Sequence, residues 1–149
     1  MADAVTSQLL INGPRNWAYR FTNVSDGTGE SGVTKVNAGS SGPLGVVIAG
    51  ETIYPGVHLK ITKIDFAVAG MALRVQFHAT SDEDALVLSG VDHWDFVNLG
   101  GIQNPGTAAL TGSTGSIDFT TIGQQGGTTD VAPSTYTVVL WGTKGIPQV

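Results

Sequence analysis

The sequence predicts an all-β fold: a single antiparallel β-sandwich or barrel, jelly-roll-like, with an extended N-terminal arm and long Gly/Thr-rich loops. Three observations predict it. Apolar and polar residues alternate with period two along much of the chain. Its 21 glycines break that alternation at short intervals, as turns between strands do. No segment carries a convincing helical pattern of apolar residues.

The elements follow in order. Residues 1–14 read as the arm and 15–149 as one β-domain, with a first strand at 5–11. In "RNWAYRFTNV" (15–24), Trp17, Tyr19 and Phe21 share one face while Ala18, Arg20 and Thr22 take the other. Strands are expected at 33–37 and 45–53. In "VHLKITKIDFAVAG" (57–70), Leu59 and Ile61 set one phase and Ile64, Phe66 and Val68 the opposite one. That slip at Thr62–Lys63 is what a β-bulge produces. Ala69-Gly70 reads as a hairpin into "MALRVQFHA" (71–79), where Met71, Leu73, Val75, Phe77 and Ala79 line one face. Further strands are expected at 85–91, 93–98, 116–122 and 134–142. Ser81 followed by Asp84 has capping-box spacing, so one helical turn is allowed within 79–90. Two biased loops, 98–115 and 123–134, are long enough to carry function.

Bulk properties exclude whole classes of function. The 149 residues make one domain of ordinary size, and at this length folding buries roughly 68–70% of the chain's surface, enough for a core without staples. Charged residues are only 13%, against about 25% in typical domains, so the surface is polar but weakly ionic. The net charge of −5, with scattered lysines and arginines, argues against a nucleic-acid partner. There is no cysteine, which removes thiol catalysis, disulfides and thiolate metal sites. The N-terminus lacks the pattern of a secretory signal, and no apolar run reaches the ~18 residues of a membrane span, so a soluble chain is expected.

One motif invites a catalytic reading. Gly27-Thr28-Gly29-Glu30-Ser31-Gly32 satisfies the dinucleotide fingerprint G-x-G-x-x-G. That fingerprint works only where a helix follows and points its free N–H groups at a pyrophosphate. Here "VTKVNAG" follows, β-branched and soon closed by Gly39, and Val33-Thr34 separates Gly32 from Lys35, so no P-loop is formed either. Asp26-Gly27 is instead a turn dipeptide between two strands. Asp26 and Glu30 are too few carboxylates for calcium.

His58, His78 and His93 are read as showing neither an H-x-x-x-H pair nor a carboxylate at fixed spacing, and "DHWD" (92–95) puts Asp92 and Trp94 on one strand face, His93 and Asp95 on the other. The acids of "SDEDA" (81–85) read as a solvated turn, and no nucleophile elbow exists. The expectation is therefore no enzyme, no catalytic residue, no cofactor, no metal and no small-molecule substrate. Trp17, Trp94 and Trp141 leave open a carbohydrate platform, set against the commoner role of tryptophan in a core or interface. In "STYTVVLW", both faces of the strand are apolar, which places it centrally or under a partner.

"MADAVTSQ", then "NGPRN", then "FTNVSDGTGESGVTKV" resemble the opening of short β-rich virion structural proteins of tailed bacteriophages, closely over residues 1–36. "WDFVNLGG" (94–101), "IDFTT" (117–121) and "YTVVL" (136–140) are similar more loosely and fall in the same order, while 38–56 looks like an insertion. The resemblance implies a non-enzymatic particle component, made in the host cytoplasm and carried on the outer capsid surface. A head decoration (cement) protein that binds the major capsid protein, with a homotrimer favoured, is the leading form; a tail, neck or fibre subunit is the alternative. The arm then supplies a strand to a neighbour's sheet edge. Val5, Leu9, Leu10, Ile11, Trp17 and Trp141 are the expected subunit or capsid contacts.

Overall fold

The computed structural model describes residues 3–13, 16–37, 47–48, 51–52, 58–104, 111–112 and 115–145. The fold is all-β and antiparallel, with ten strands and no α-helix among these residues. The strands are β1 (Ala4–Asn12), β2 (Asn16–Val24), β3 (Val33–Val36), β4 (Val47–Ile48), β5 (Glu51–Thr52), β6 (His58–Phe77), β7 (Glu83–Asp95), β8 (Ile102–Gln103), β9 (Ile117–Ile122) and β10 (Thr135–Gly145). Eight of them form one sheet in the order β1-β2-β10-β6-β9-β3, with β7 and β8 also on β6; β4 and β5 pair separately.

The sheet folds over on itself through β6. The first half of this 20-residue strand pairs with β10, from Leu59↔Lys144 to Ala69↔Thr135. Its second half leaves β10 and pairs with β9, from Ala72↔Ile122 to Phe77↔Ile117. β7 follows β6 along its other edge through both halves. At the corner Gly70 has φ +74°, and Gly90, opposite Val68, has φ +79°. Ser134 Oγ donates to the Gly70 carbonyl at 2.9 Å, and a Cβ on Gly70 would stand 3.0 Å from that hydroxyl. Gly70 is thus a bend within one strand rather than the expected hairpin. The actual β6–β7 turn lies at 78–82.

The folded-over halves enclose one core. Phe119 of β9 meets Phe21 of β2 and Tyr136 of β10 edge-on, at centroid distances of 5.1 and 5.8 Å, and Tyr19 stacks on Phe21. The faces expected from alternation hold: Trp17, Tyr19 and Phe21 are buried, as are Met71, Leu73, Val75 and Phe77. The phase slip is a bulge, since Trp141 pairs with Lys63 and Gly142 with Ile61, passing over Thr62. Its Oγ1 donates to the Trp141 carbonyl at 3.2 Å, and its own carbonyl accepts the Phe96 N–H at 2.8 Å. The bulge lets Leu59, Ile61, Ile64, Phe66 and Val68 all reach the core despite their change of phase.

Other expectations are corrected. Strands 85–91 and 93–98 are one strand, β7. No helical turn forms at 79–90: the Ala79 N–H donates to Asp82 Oδ1 at 3.0 Å, closing a bend that leads straight into β7. A single 3₁₀ turn appears instead at Val97–Leu99, ended by Gly100 at φ +81°. Expected strand 45–53 is seen as the short β4–β5 pair, and much of the expected insertion lies outside the described residues.

Candidate functional site

The arm folds onto its own chain. β1 runs antiparallel to β2 from Ala4↔Val24 to Asn12↔Trp17, with a bulge at Leu10. Leu9 packs against the core, and the hydroxyls of Thr6 and Thr22 pair across the strands. The other edge of β1 pairs with no strand among the described residues. "AVTSQLLIN" contains no charge and no proline along that edge, and Val5, Leu10 and Ile11 are each about half exposed. Folded proteins usually blunt an open edge with lysine, proline or brevity. Among the described residues this edge carries only the Leu10 bulge.

The start of the arm is held by the glycine-rich loop. Asp3 Oδ1 accepts the Asp26 N–H at 3.0 Å, the Ser25 and Thr28 hydroxyls at 3.3 Å each, and the Gly29 N–H at 3.4 Å. Asp3 Oδ2 accepts Asn23 Nδ2 at 3.1 Å. Burial opposes the charge, but these donors outweigh it and hold the Asp3 carboxyl down to about 2. The loop that satisfies a nucleotide fingerprint does cradle an anion, and that anion is the chain's own carboxylate.

Beneath the cradle lies a buried polar network. Asn23 Nδ2 also donates to Glu30 Oε1 at 3.0 Å, which accepts the Tyr136 hydroxyl at 2.5 Å. Lys35 pairs with the other Glu30 oxygen, the side chains being 9% and 6% exposed. The Glu30 N–H donates to Thr121 Oγ1 at 2.8 Å, and its carbonyl accepts the Thr121 N–H at 3.0 Å. Burial, reinforced by the Glu30 charge, pushes the Tyr136 phenol far up, so it stays a donor. Asp26 Oδ1 accepts the Thr28 N–H at 3.0 Å and shares the Thr28 hydroxyl proton with Asp3, while Glu30 is turned to Asn23, Tyr136 and Lys35, so the two carboxylates face different partners.

The six expected contact residues separate. Val5, Leu10 and Ile11 lie along the open edge, and Leu9 is turned inward. Trp17 is 1% exposed in the core, where its Nε1 donates to the Thr143 carbonyl at 3.2 Å; it is no surface contact and no sugar platform. Its place follows from the Trp17-Tyr19-Phe21 face, which looks inward. Trp141 is half-buried on the opposite face of the sheet, with Lys63 Nζ 4.9 Å from its ring centroid. Beside it a shallow depression is lined by Asp65, Ala67, Val91, His93, Thr137 and Val139. β10 is central, between β2 and β6, as its two apolar faces require. Trp94 packs edge-on against Phe66 and Phe96 and donates to Asp92 Oδ2, while His93 pairs with Asp65 across to β6.

A further cluster was missed in the sequence. His78, Asp82 and Asp118 bring three donor atoms within 4.8 Å of one another on the outer side of the second half-sheet. His78 and Asp82 stand four apart and 3.8 Å from each other, which corrects the expectation that no carboxylate lies at metal-ligand spacing from a histidine. Asp118, between Ile117 and Phe119, is an acid inside an apolar strand, and strand pairing brings it beside them.

Compared with protein-family models, with curated proteins and with solved structures, the chain matches none.

Proposed function

We propose that this chain is a structural protein of a tailed-phage virion, a head decoration protein that seats on the outer capsid surface and bridges adjacent copies of the major capsid protein. The observation that carries the reading is the open edge of β1: nine uncharged residues with Val5, Leu10 and Ile11 exposed, suited to backbone pairing with a neighbouring chain. The resemblance over residues 1–36 supports it, and within that stretch Asp3, Asn23, Ser25, Thr28 and Glu30 fasten β1 to the glycine-rich loop. The net charge of −5 suits an outer surface better than the DNA-facing side of a shell. Trimers, formed in solution or on the shell, are part of the same proposal.

Purified protein added to intact, expanded, undecorated capsids of the parent phage is expected to co-sediment at fixed stoichiometry. Val5→Lys with Ile11→Lys, which charges the edge without touching the core, should reduce binding at least about tenfold while leaving thermal unfolding unchanged. Absence of wild-type binding to intact capsids refutes the proposal. Labelled protein seen on tails, necks or fibres of whole virions selects the alternative placement.

A further inference from the structure

We infer that His78, Asp82 and Asp118 form a binding site for a divalent cation of the zinc type, which ties the end of β6, the β6–β7 turn and β9 together. Three observations converge. First, three possible ligand atoms lie within 4.8 Å of one another, His78 Nδ1 being 2.5 Å from Asp118 Oδ2 and 3.8 Å from Asp82 Oδ1. Ligands bonded at about 2.0–2.1 Å around a tetrahedral zinc stand about 3.3–3.4 Å apart, so a bound ion replaces the His78–Asp118 hydrogen bond and spreads that pair by somewhat under ~1 Å.

Second, the Asp118 side chain is 0% exposed, and no lysine or arginine among the described residues pairs with it. Lys35 is committed to Glu30 and Arg74 to Asp84. The partners of Asp118 are the His78 imidazole and the Thr34 hydroxyl, and with a second carboxylate, Asp82, beside it, a cation placed among the three offsets both acids.

Third, the ligands are already oriented. The Thr34 hydroxyl donates to Asp118 Oδ1 at 2.8 Å, leaving Oδ2 turned toward the cluster. The Ala79 N–H donates to Asp82 Oδ1 at 3.0 Å and fixes the turn. Such outer partners hold metal ligands in place. His78 is 38% exposed along its side chain, so water can complete the coordination. One imidazole nitrogen with two carboxylates suits zinc or manganese; calcium, which takes six to eight oxygens, is poorly served.

The test uses untagged full-length protein stripped by chelator and titrated calorimetrically with Zn²⁺, with Mn²⁺ and Ca²⁺ as parallel arms. One saturable equivalent of Zn²⁺ is expected, bound more tightly than Ca²⁺, with a Tm that rises with Zn²⁺ concentration. Asp82→Asn and His78→Gln should each weaken Zn²⁺ binding at least about tenfold, and His93→Gln should not. Asp82 lies in a turn outside the core, so its variant reports on binding if His78→Gln proves unstable; unfolding measured in chelator checks both. No one-to-one Zn²⁺ binding, or affinity unchanged in the Asp82 variant, overturns the inference and leaves a simple His78–Asp118 ion pair. Capsid binding is not needed for any of these readouts.

Discussion

Replacing Asp3 by Asn tests whether the glycine-rich loop holds the arm as an anion cradle. The substitution keeps shape and removes charge. In wild type four donors converge on Oδ1 and Asn23 Nδ2 reaches Oδ2. An amide at residue 3 must either face Asn23 donor to donor or flip and turn its NH₂ toward the other four. The carboxyl is lowered from 3.8 to about 2, which at about 1.36 kcal/mol per unit is about 2.4 kcal/mol of stabilisation. Asp3 remains partly exposed, so solvent screening reduces this to about 1–2 kcal/mol. Because the folded pKa lies below the unfolded one, the stabilisation is complete above about pH 4 and fades as pH falls toward about 2. Urea unfolding of both proteins across that range is the assay. Wild type should exceed Asp3→Asn by about 1–2 kcal/mol near neutrality, with the gap closing as acid protonates Asp3. A gap that stays constant from about pH 5 to about pH 2, or no gap near neutrality, refutes the cradle.

Three other outcomes follow from the packing. Lys35→Met strands the buried Glu30 carboxylate and should cost about 3–5 kcal/mol in denaturant unfolding; adding Glu30→Gln should recover most of it. Phe119→Ala empties the junction between Phe21 and Tyr136 and should cost about 3–5 kcal/mol by the same measurement. Gly142→Ala would place a Cβ 2.0 Å from the Lys60 carbonyl oxygen and 2.4 Å from Trp17 Cζ2, so soluble folded protein should be lost on expression, as judged by gel filtration and circular dichroism.

What the sequence reveals here is periodic, and what it hides is distant. Alternation exposed the Trp17-Tyr19-Phe21 and Met71-to-Phe77 faces, because strand geometry sends every second side chain the same way. The Thr62 bulge was readable for the same reason, as a break in phase. Gly70 misled because a glycine at a hairpin and one at a corner look alike locally. The difference lies in Ser134, 64 residues later, which takes hold of the Gly70 carbonyl. The bonds to Asp3 span 20 to 26 positions and the His78–Asp118 pair spans 40, so no local pattern announces either. The arm's sequence marked it as a strand, while its partner, β2 of the same chain, emerges only from the register.

The placement of β10 has a consequence for synthesis. β2 lies between β1 and β10, and Val24 pairs with Thr135, about 110 residues further along the chain. At roughly 5–20 residues per second, a ribosome makes that distance in about 6–22 s. Throughout that interval the nascent Trp17, Tyr19 and Phe21 can shelter only against β1 and whatever strands have already emerged. The chain therefore spends its most aggregation-prone moments with its N-terminal hairpin waiting for the last strand of the sheet.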